Sequence, residues 1–121
     1  MRVSVTKSFG FEAAHHLPNY DGACNRLHGH SYKLQVTVSG SVDEATGMII
    51  DFNRLKAVVN EKVVHKYDHQ YLNDFFNNPT AENMVQHIYK ELSVCFNKIG
   101  LTLDSVKLWE TASSYAECSR G

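Results

Sequence analysis

The sequence predicts an α+β domain in which an antiparallel sheet carries both helices on one face. Segments near both ends of the chain alternate apolar and polar residues, whereas the middle holds two apolar stripes at helical spacing. The predicted order is strand, strand, helix, helix, strand, strand, and helices grouped in this way pack on one side of a sheet. With 121 residues, two prolines and no visible linker or repeat, the chain is expected to form one domain over residues 1–121.

Four segments are predicted as strands. In residues 2–15 most apolar side chains share one parity and polar side chains occupy the other, and residues 30–39 repeat this pattern. Because successive side chains of a strand point to opposite faces, each of these strands should bury one face. Residues 101–111 and 114–119 are predicted as the last two strands, the second from a weaker pattern.

Caps and apolar stripes predict the two helices. Asp51 is a good N-cap, and apolar residues in the segment 52–63 then recur at helical spacing. Thr80 is the predicted start of the second helix, with Glu82 in the first turn, where the helix dipole favours a negative charge. Gly100 supplies a C-terminal stop.

Charge and cysteine content exclude several functional classes. The net charge is −1 and no long basic run exists, so there is no electrostatic case for binding nucleic acid or a membrane. The three cysteines are few, and an odd number cannot all pair, which argues against a disulfide scaffold. The N-terminal residues lack the apolar block of a signal peptide, so we expect a cytoplasmic protein. Seven histidines in so short a chain direct attention to metal binding and proton transfer.

A His-x-His motif is the first candidate site. His28 and His30 project from the same side of an extended strand, and Gly29 between them lets another group approach closely. His15 and His16 end the preceding strand and point to opposite faces, so one of them can join the pair. Parity groups His15 with the apolar residues, although a bulge would reverse this. Three histidines and an open fourth position are typical of catalytic zinc.

Cys24 lies in a polar loop four residues before His28. As a fourth ligand it would close a structural Cys/His zinc site. As a free thiol near a cation it would have a lowered pKa and act as a base or nucleophile. An inert loop thiol is the third reading, and the sequence pattern alone leaves all three open.

Two further positions carry acidic groups of interest. Asp68 precedes His69, and such a pair can act in acid/base chemistry, although neighbours in sequence need not be hydrogen-bonded. Glu110 alternates in phase with Val106 and Leu108, so its carboxylate is expected on an apolar face, where it needs a partner. That partner is either a basic side chain or a ligand with paired N–H donors, such as a 2-amino-4-oxo pyrimidine ring.

Taken together, these residues resemble the 6-pyruvoyltetrahydropterin synthase family, and within it the bacterial 6-carboxytetrahydropterin synthases of queuosine biosynthesis. The likeness spans almost the whole chain and rests on an ordered set of motifs. In chain order these are Phe11-Glu12-Ala13-Ala14-His15, Cys24 with His28-Gly29-His30, Gly47 through Asp51-Phe52 with Leu55-Lys56, Asp68-His69 with Tyr71-Leu72-Asn73, Pro79-Thr80 with Glu82-Asn83, and Glu110-Thr111.

The resemblance implies a role for each candidate residue. The zinc ligands would be His15, His28 and His30; the catalytic acid/base group Cys24, Asp68 and His69; and the pterin anchor Glu110. The short spacing from Cys24 to His28 is similar to that of the carboxy-forming branch.

The resemblance also implies a fold and a reaction. The fold would be the tunnelling fold, a four-stranded antiparallel sheet backed by two helices, with subunits joined edge to edge as a hexamer and active sites between subunits. The reaction would be the zinc-dependent conversion of 7,8-dihydroneopterin triphosphate to 6-carboxy-5,6,7,8-tetrahydropterin, releasing acetaldehyde and triphosphate. The alternatives are a 6-pyruvoyltetrahydropterin synthase acting on the same substrate and a non-catalytic Cys/His zinc-binding module.

Overall fold

A long antiparallel hairpin forms the centre of the structure. The computed structural model describes residues 1–120, in which β1 (Arg2–His15) pairs with β2 (His28–Ser41) along its whole length. The register places His15 directly opposite His28. Both strands alternate as the sequence predicts, with one set of side chains less exposed than the other, although in β1 full burial begins only at Phe11.

The sheet has five strands in the order β3-β1-β2-β4-β5, with β3 (Gln70–Tyr71), β4 (Thr102–Thr111) and β5 (Ser114–Ser119). The expectation of a four-stranded antiparallel sheet is therefore wrong in two respects. Strand β3 is an additional strand, and it runs parallel to β1, so the sheet is mixed. A two-residue strand is too short to produce an alternating pattern, so no periodicity predicts it.

The first helix contains a wide turn that the sequence pattern did not predict. It consists of α1 (Phe52–Val59), a π-helical turn (Asn60–Val64) and α2 (His65–Tyr67). The side chain of Asp51 caps its start by accepting a hydrogen bond from the Asn53 amide at 2.7 Å, as expected. Four buried residues of this helix recur at every fourth position, namely Leu55, Val59, Val63 and Tyr67. This spacing exceeds the about 3.6 residues of an α-helical turn, and the π-helical turn brings the side chains back to one face.

The second long helix, α3 (Ala81–Asn97), begins where its cap predicts. The Thr80 hydroxyl accepts a hydrogen bond from the Asn83 amide at 3.1 Å. After the helix, Gly100 adopts a φ of 79°, a left-handed conformation that favours glycine. The buried side chains of α3 pack against β4 and β5.

The core lies between one face of the sheet and the helices. Strands β1, β2 and β4 contribute buried apolar residues to the same cluster as α1 and α3, so both helices cover one face, as predicted. His15 is fully buried at one end of this core. Within residues 1–120, no helix has the length and apolar character needed to cross a membrane.

Candidate metal centre and active site

Three histidines from the β1–β2 hairpin converge at one end of the core. Because His15 lies opposite His28 and His30 follows two residues later, all three side chains project from the same side of the sheet. The Nε2 atoms of His15 and His28 are 3.1 Å apart. One ring nitrogen from each of the three histidines lies within 4.8 Å of the others. The structure thus brings together the three predicted ligands, and His15 rather than His16 belongs to this cluster.

Backbone carbonyl groups fix the orientation of two of these rings. The Nδ1 of His15 is 2.8 Å from the Pro79 carbonyl oxygen, and the Nδ1 of His28 is 2.7 Å from the Arg26 carbonyl oxygen. Because a carbonyl oxygen can only accept, each Nδ1 carries the proton and donates it. In the neutral rings, the Nε2 lone pairs are therefore directed into the cluster. This is the arrangement by which outer hydrogen bonds prepare histidines for a metal ion.

The donor set fits a divalent metal such as zinc. Two neutral Nε2 lone pairs 3.1 Å apart repel each other unless a cation lies between them, and two ligands on a tetrahedral zinc are about 3.3 Å apart. The Nε2 of His30 is buried and has no hydrogen-bonding partner among the described residues. Burial lowers the pKa of both His15 and His30, which favours the neutral rings that metal binding requires.

Glu110 extends the cluster from the neighbouring strand β4. Its Oε1 lies 3.4 Å from the Nε2 of His15 and 3.9 Å from the Nε2 of His30. The carboxylate is about one-third exposed and borders a cavity of ≈ 420 Å³, whose other walls include Glu82 and Tyr115. Glu110 therefore lies on the core side of β4, as its phase predicts, and it has histidines rather than lysine or arginine as neighbours.

Asp68 and His69 lie within ion-pair distance of each other, a contact that the sequence left open. The Nδ1 of His69 lies 3.0 Å from the Oδ2 of Asp68, and the other Asp68 oxygen accepts a hydrogen bond from the Glu12 amide at 2.9 Å. These contacts, with the Glu12 amide as the larger cause, lower the pKa of Asp68. An ionised Asp68 accepts the Nδ1 proton, so the Nε2 of an exposed His69 remains available for proton transfer.

An open cavity of ≈ 530 Å³ lies beside His69 and the end of the β1–β2 hairpin. Its walls include His30 and His69, together with Gly29, Ser31 and Tyr71. His69 also has a φ of 60°, an uncommon backbone conformation for a residue other than glycine.

Cys24 lies outside this contact network. It is half-buried in a 3-10 turn (Ala23–Asn25), and its carbonyl oxygen accepts a hydrogen bond from the Leu17 amide at 2.8 Å. The metal-binding cluster found in residues 1–120 does not include it. The structure therefore brings six of the seven predicted residues to one end of the sheet, in two adjacent groups, and leaves Cys24 on a turn beside them.

Sequence reasoning missed the backbone partners of the site. The Pro79 and Arg26 carbonyl groups orient two histidines, but every residue has a carbonyl group, so no sequence pattern identifies them. It also assigned no role to Asn73, whose side chain bonds to the backbone of His16. The Tyr71-Leu72-Asn73 stretch after the Asp-His pair, one of the motifs that carry the family resemblance, was the available signal.

The fold and site define a class: an α+β protein with a three-histidine cluster that could hold a metal ion at the end of a sheet. Residues 4–121 match the model of the 6-pyruvoyl tetrahydropterin synthase family, so the chain belongs to this family of enzymes. The chain is 40% identical over 119 residues to the 6-carboxy-5,6,7,8-tetrahydropterin synthase of Synechocystis, covering 93% of this chain and 89% of the relative. It is 32% identical over 138 residues to the enzyme of the same name from Haemophilus influenzae, covering 93% and 96%.

A solved structure shows the same fold. The 6-pyruvoyl tetrahydropterin synthase of Caenorhabditis elegans superposes with a TM-score of 0.87 and is 27% identical, covering 100% of this chain and 97% of that one. The prediction of the family and of its tunnelling fold is thus confirmed, apart from the number and direction of the strands.

Metal content distinguishes the open three-histidine site from a closed Cys/His site. In His28→Ala, the purified protein should lose most of its bound zinc, because a ligand atom is removed. In Cys24→Ala, zinc content should match that of the unmodified protein. The zinc content of both variants is measured by atomic emission on the dialysed protein. Loss of zinc in Cys24→Ala would show that the thiol is a ligand.

Proposed function

We propose that this protein converts 7,8-dihydroneopterin triphosphate to 6-carboxy-5,6,7,8-tetrahydropterin, acetaldehyde and triphosphate, with uptake of one water. The convergence of His15, His28 and His30 next to Glu110 is the observation that carries the proposal. It puts a metal centre beside a carboxylate suited to a pterin ring. Relatives from Synechocystis and Haemophilus influenzae that are named for this product support the choice. The pathway would be queuosine biosynthesis.

Glu110 would hold the pterin ring. Its two carboxylate oxygens can accept two parallel N–H bonds from the 2-amino-pyrimidine part of the ring, which gives recognition by shape as well as charge. The cavity of ≈ 420 Å³ beside Glu110 offers space for such a ring. Because Glu110 is also 3.4 Å from His15, a ring bound there would direct its side chain toward the metal centre.

Zinc bound by the three histidines would act as a Lewis acid on the oxygen atoms of the substrate side chain. Cys24, as a thiolate, would remove a proton from the side-chain carbon attached to the ring. This carbon becomes the carboxyl group of the product, and the two carbons beyond it leave as acetaldehyde.

Asp68 and His69 would transfer protons between oxygen and carbon atoms during these steps. The support is their geometry: Asp68 binds the Nδ1 of His69 at 3.0 Å and leaves the Nε2 free. His69 borders an open cavity of ≈ 530 Å³, so its ring is accessible to a substrate.

The second candidate function is that of a 6-pyruvoyltetrahydropterin synthase on the same substrate. The similarity to the Caenorhabditis elegans enzyme of that name favours it. Both functions share the metal, the pterin anchor and the elimination of triphosphate, and they differ in whether a carbon–carbon bond breaks. A non-catalytic zinc-binding module is the third candidate, and it is favoured by no feature of the described site.

Product analysis separates these candidates. Incubation of the zinc-loaded protein with 7,8-dihydroneopterin triphosphate should yield acetaldehyde and a pterin of the mass of the 6-carboxy product. Cys24→Ala should lower the turnover number by about 10²–10⁴-fold, because it removes the proposed base. The readouts are mass spectrometry of the pterin and an enzyme-coupled assay for acetaldehyde.

Cys95→Ala is the matched control, since it removes another half-buried thiol that lies on α3. Its turnover should equal that of the unmodified protein. A pyruvoyl product without acetaldehyde would replace the carboxy assignment with the second candidate. Near-normal turnover in Cys24→Ala would end the proposed role of this thiol.

We also propose that the protein is a cytoplasmic homo-oligomer, a hexamer with its active sites between subunits. Within residues 1–120, β3 covers β1 only at Ala13 and Ala14, so most of the outer edge of β1 has no strand partner. The outer edge of β5 is likewise at the margin of the sheet. Joining β1 of one copy to β5 of another would satisfy both edges, which otherwise invite aggregation.

Sedimentation velocity measures the assembly directly. The protein should sediment as a hexamer at assay concentrations, because the shared edges are long and the cavities at the end of the sheet are open on one side. An active monomer would contradict both the edge pairing and the placement of the site between subunits.

A further inference from the structure

The segment that carries the acid/base pair is bonded to the edge of β1 along several residues. Asp68 accepts a hydrogen bond from the Glu12 amide, and the His69 amide donates to the Glu12 carbonyl oxygen. Strand β3 then pairs in parallel with Ala13 and Ala14 of β1. We call this segment, residues 68–73, the edge strap.

Asn73 attaches the edge strap to the residue that follows β1. Its Oδ1 accepts a hydrogen bond from the His16 amide at 3.0 Å, and its Nδ2 donates to the His16 carbonyl oxygen at 3.0 Å. One side chain therefore satisfies both backbone polar groups of His16, much as a neighbouring strand would. The ring of His16 also stacks on Tyr71, with centroids 6.1 Å apart.

The position of this contact is informative because His16 lies between two functional groups. On one side it is bonded to His15, the buried member of the metal cluster. On the other side is Leu17, whose amide donates to the carbonyl oxygen of Cys24 at 2.8 Å. At His16 the chain leaves β1, so the register of the sheet no longer fixes its path.

We propose that Asn73 is a positioning residue that holds the end of β1 so that His15 keeps its place in the metal centre. This inference rests on the proposed function, since it takes the three histidines to be metal ligands. Asn73 acts through the backbone of His16 and touches neither metal nor substrate. The same contact joins the edge strap, which bears Asp68 and His69, to the residue that follows His15.

The expected loss of metal affinity in Asn73→Ala can be judged from other groups that orient metal ligands. Removing such a partner weakens metal binding by about 10–100-fold. In Asn73→Ala the His16 amide and carbonyl groups lose their partner together, and the end of β1 gains freedom. The ring of His15 keeps its hydrogen bond to the Pro79 carbonyl oxygen, so metal binding should become weaker but should not be lost.

The test measures metal affinity on the full chain. Zinc-loaded protein is titrated with a chromophoric chelator, and a cobalt-substituted sample gives the visible absorption of the metal centre. Asn73→Ala should raise the zinc dissociation constant by about tenfold or more and change the cobalt spectrum. His28→Ala sets the scale for losing a ligand.

Asn77→Ala is the matched control, because Asn77 is an exposed asparagine in the same loop. Its zinc dissociation constant should stay within about twofold of the unmodified value. If Asn73→Ala lowers the melting temperature but leaves the zinc affinity and the cobalt spectrum unchanged, Asn73 is merely structural and the proposal is wrong. Should Asn73→Ala not fold, Asn73→Ser takes its place, since its shorter hydroxyl group cannot span both backbone groups.

Failure of this proposal and failure of the proposed function are distinguishable. Metal affinity is measured without substrate, so it does not depend on which pterin the enzyme converts. If Asn73→Ala weakens zinc binding and the unmodified protein forms no acetaldehyde, the result would support the positioning role and contradict the carboxy-forming reaction. If instead the unmodified protein forms acetaldehyde and Asn73→Ala leaves the zinc affinity unchanged, the result would support the carboxy-forming reaction and contradict the positioning role.

Discussion

The register of the β1–β2 hairpin is the constraint on which the site depends. It places His15 opposite His28 and directs both rings, with His30, toward the side of the sheet that the helices cover. The side-chain period of a strand is two, so a slip of one residue would turn the histidines of the slipped strand to the opposite face. The same slip would expose core residues such as Phe11 or Leu34, which are almost completely buried. The apolar core and the metal centre thus enforce the same register.

Burial at the end of the core then determines the chemistry that the histidines can perform. It favours the neutral rings of His15 and His30. The carbonyl oxygens of Pro79 and Arg26 accept hydrogen bonds from the Nδ1–H groups of His15 and His28, so the Nε2 atoms of these two rings are left as electron-pair donors to a metal. Strand β4 adds Glu110 from the other side of β2. The Asp68–His69 pair comes just before β3, beyond the outer edge of β1. The order of strands in the sheet therefore brings the histidine cluster, Glu110 and the Asp68–His69 pair to the same end of the sheet.

Much of the fold could be predicted because its signals are periodic. The alternation in residues 2–15 predicts β1, and Asp51 and Thr80 cap the helices where expected. Parity also favoured His15 over His16, and the structure agrees. Strand β3 and the π-helical turn were missed for the same reason: each is a short local feature fixed by tertiary pairing and packing, not by a repeating pattern.

The candidate site was harder to derive, because contacts between strands depend on the pairing. Residues on one strand, such as His28 and His30, could be grouped by spacing alone. Glu110 could be placed on the apolar face, yet nothing in its neighbourhood in sequence showed that His15 would be its partner. The ordered motifs shared with the synthase family supplied the roles that spacing could not. Cys24 remains the residue whose role depends most on that resemblance, since it lies on an irregular turn.

The central claim is that the metal is held by three histidines and leaves an open position for substrate. X-ray absorption spectroscopy at the zinc edge measures the ligands directly. The account predicts a first shell of nitrogen and oxygen atoms at about 2.0–2.1 Å and no sulfur. A sulfur atom at about 2.3 Å would place Cys24 or another thiol on the metal and contradict the open catalytic site.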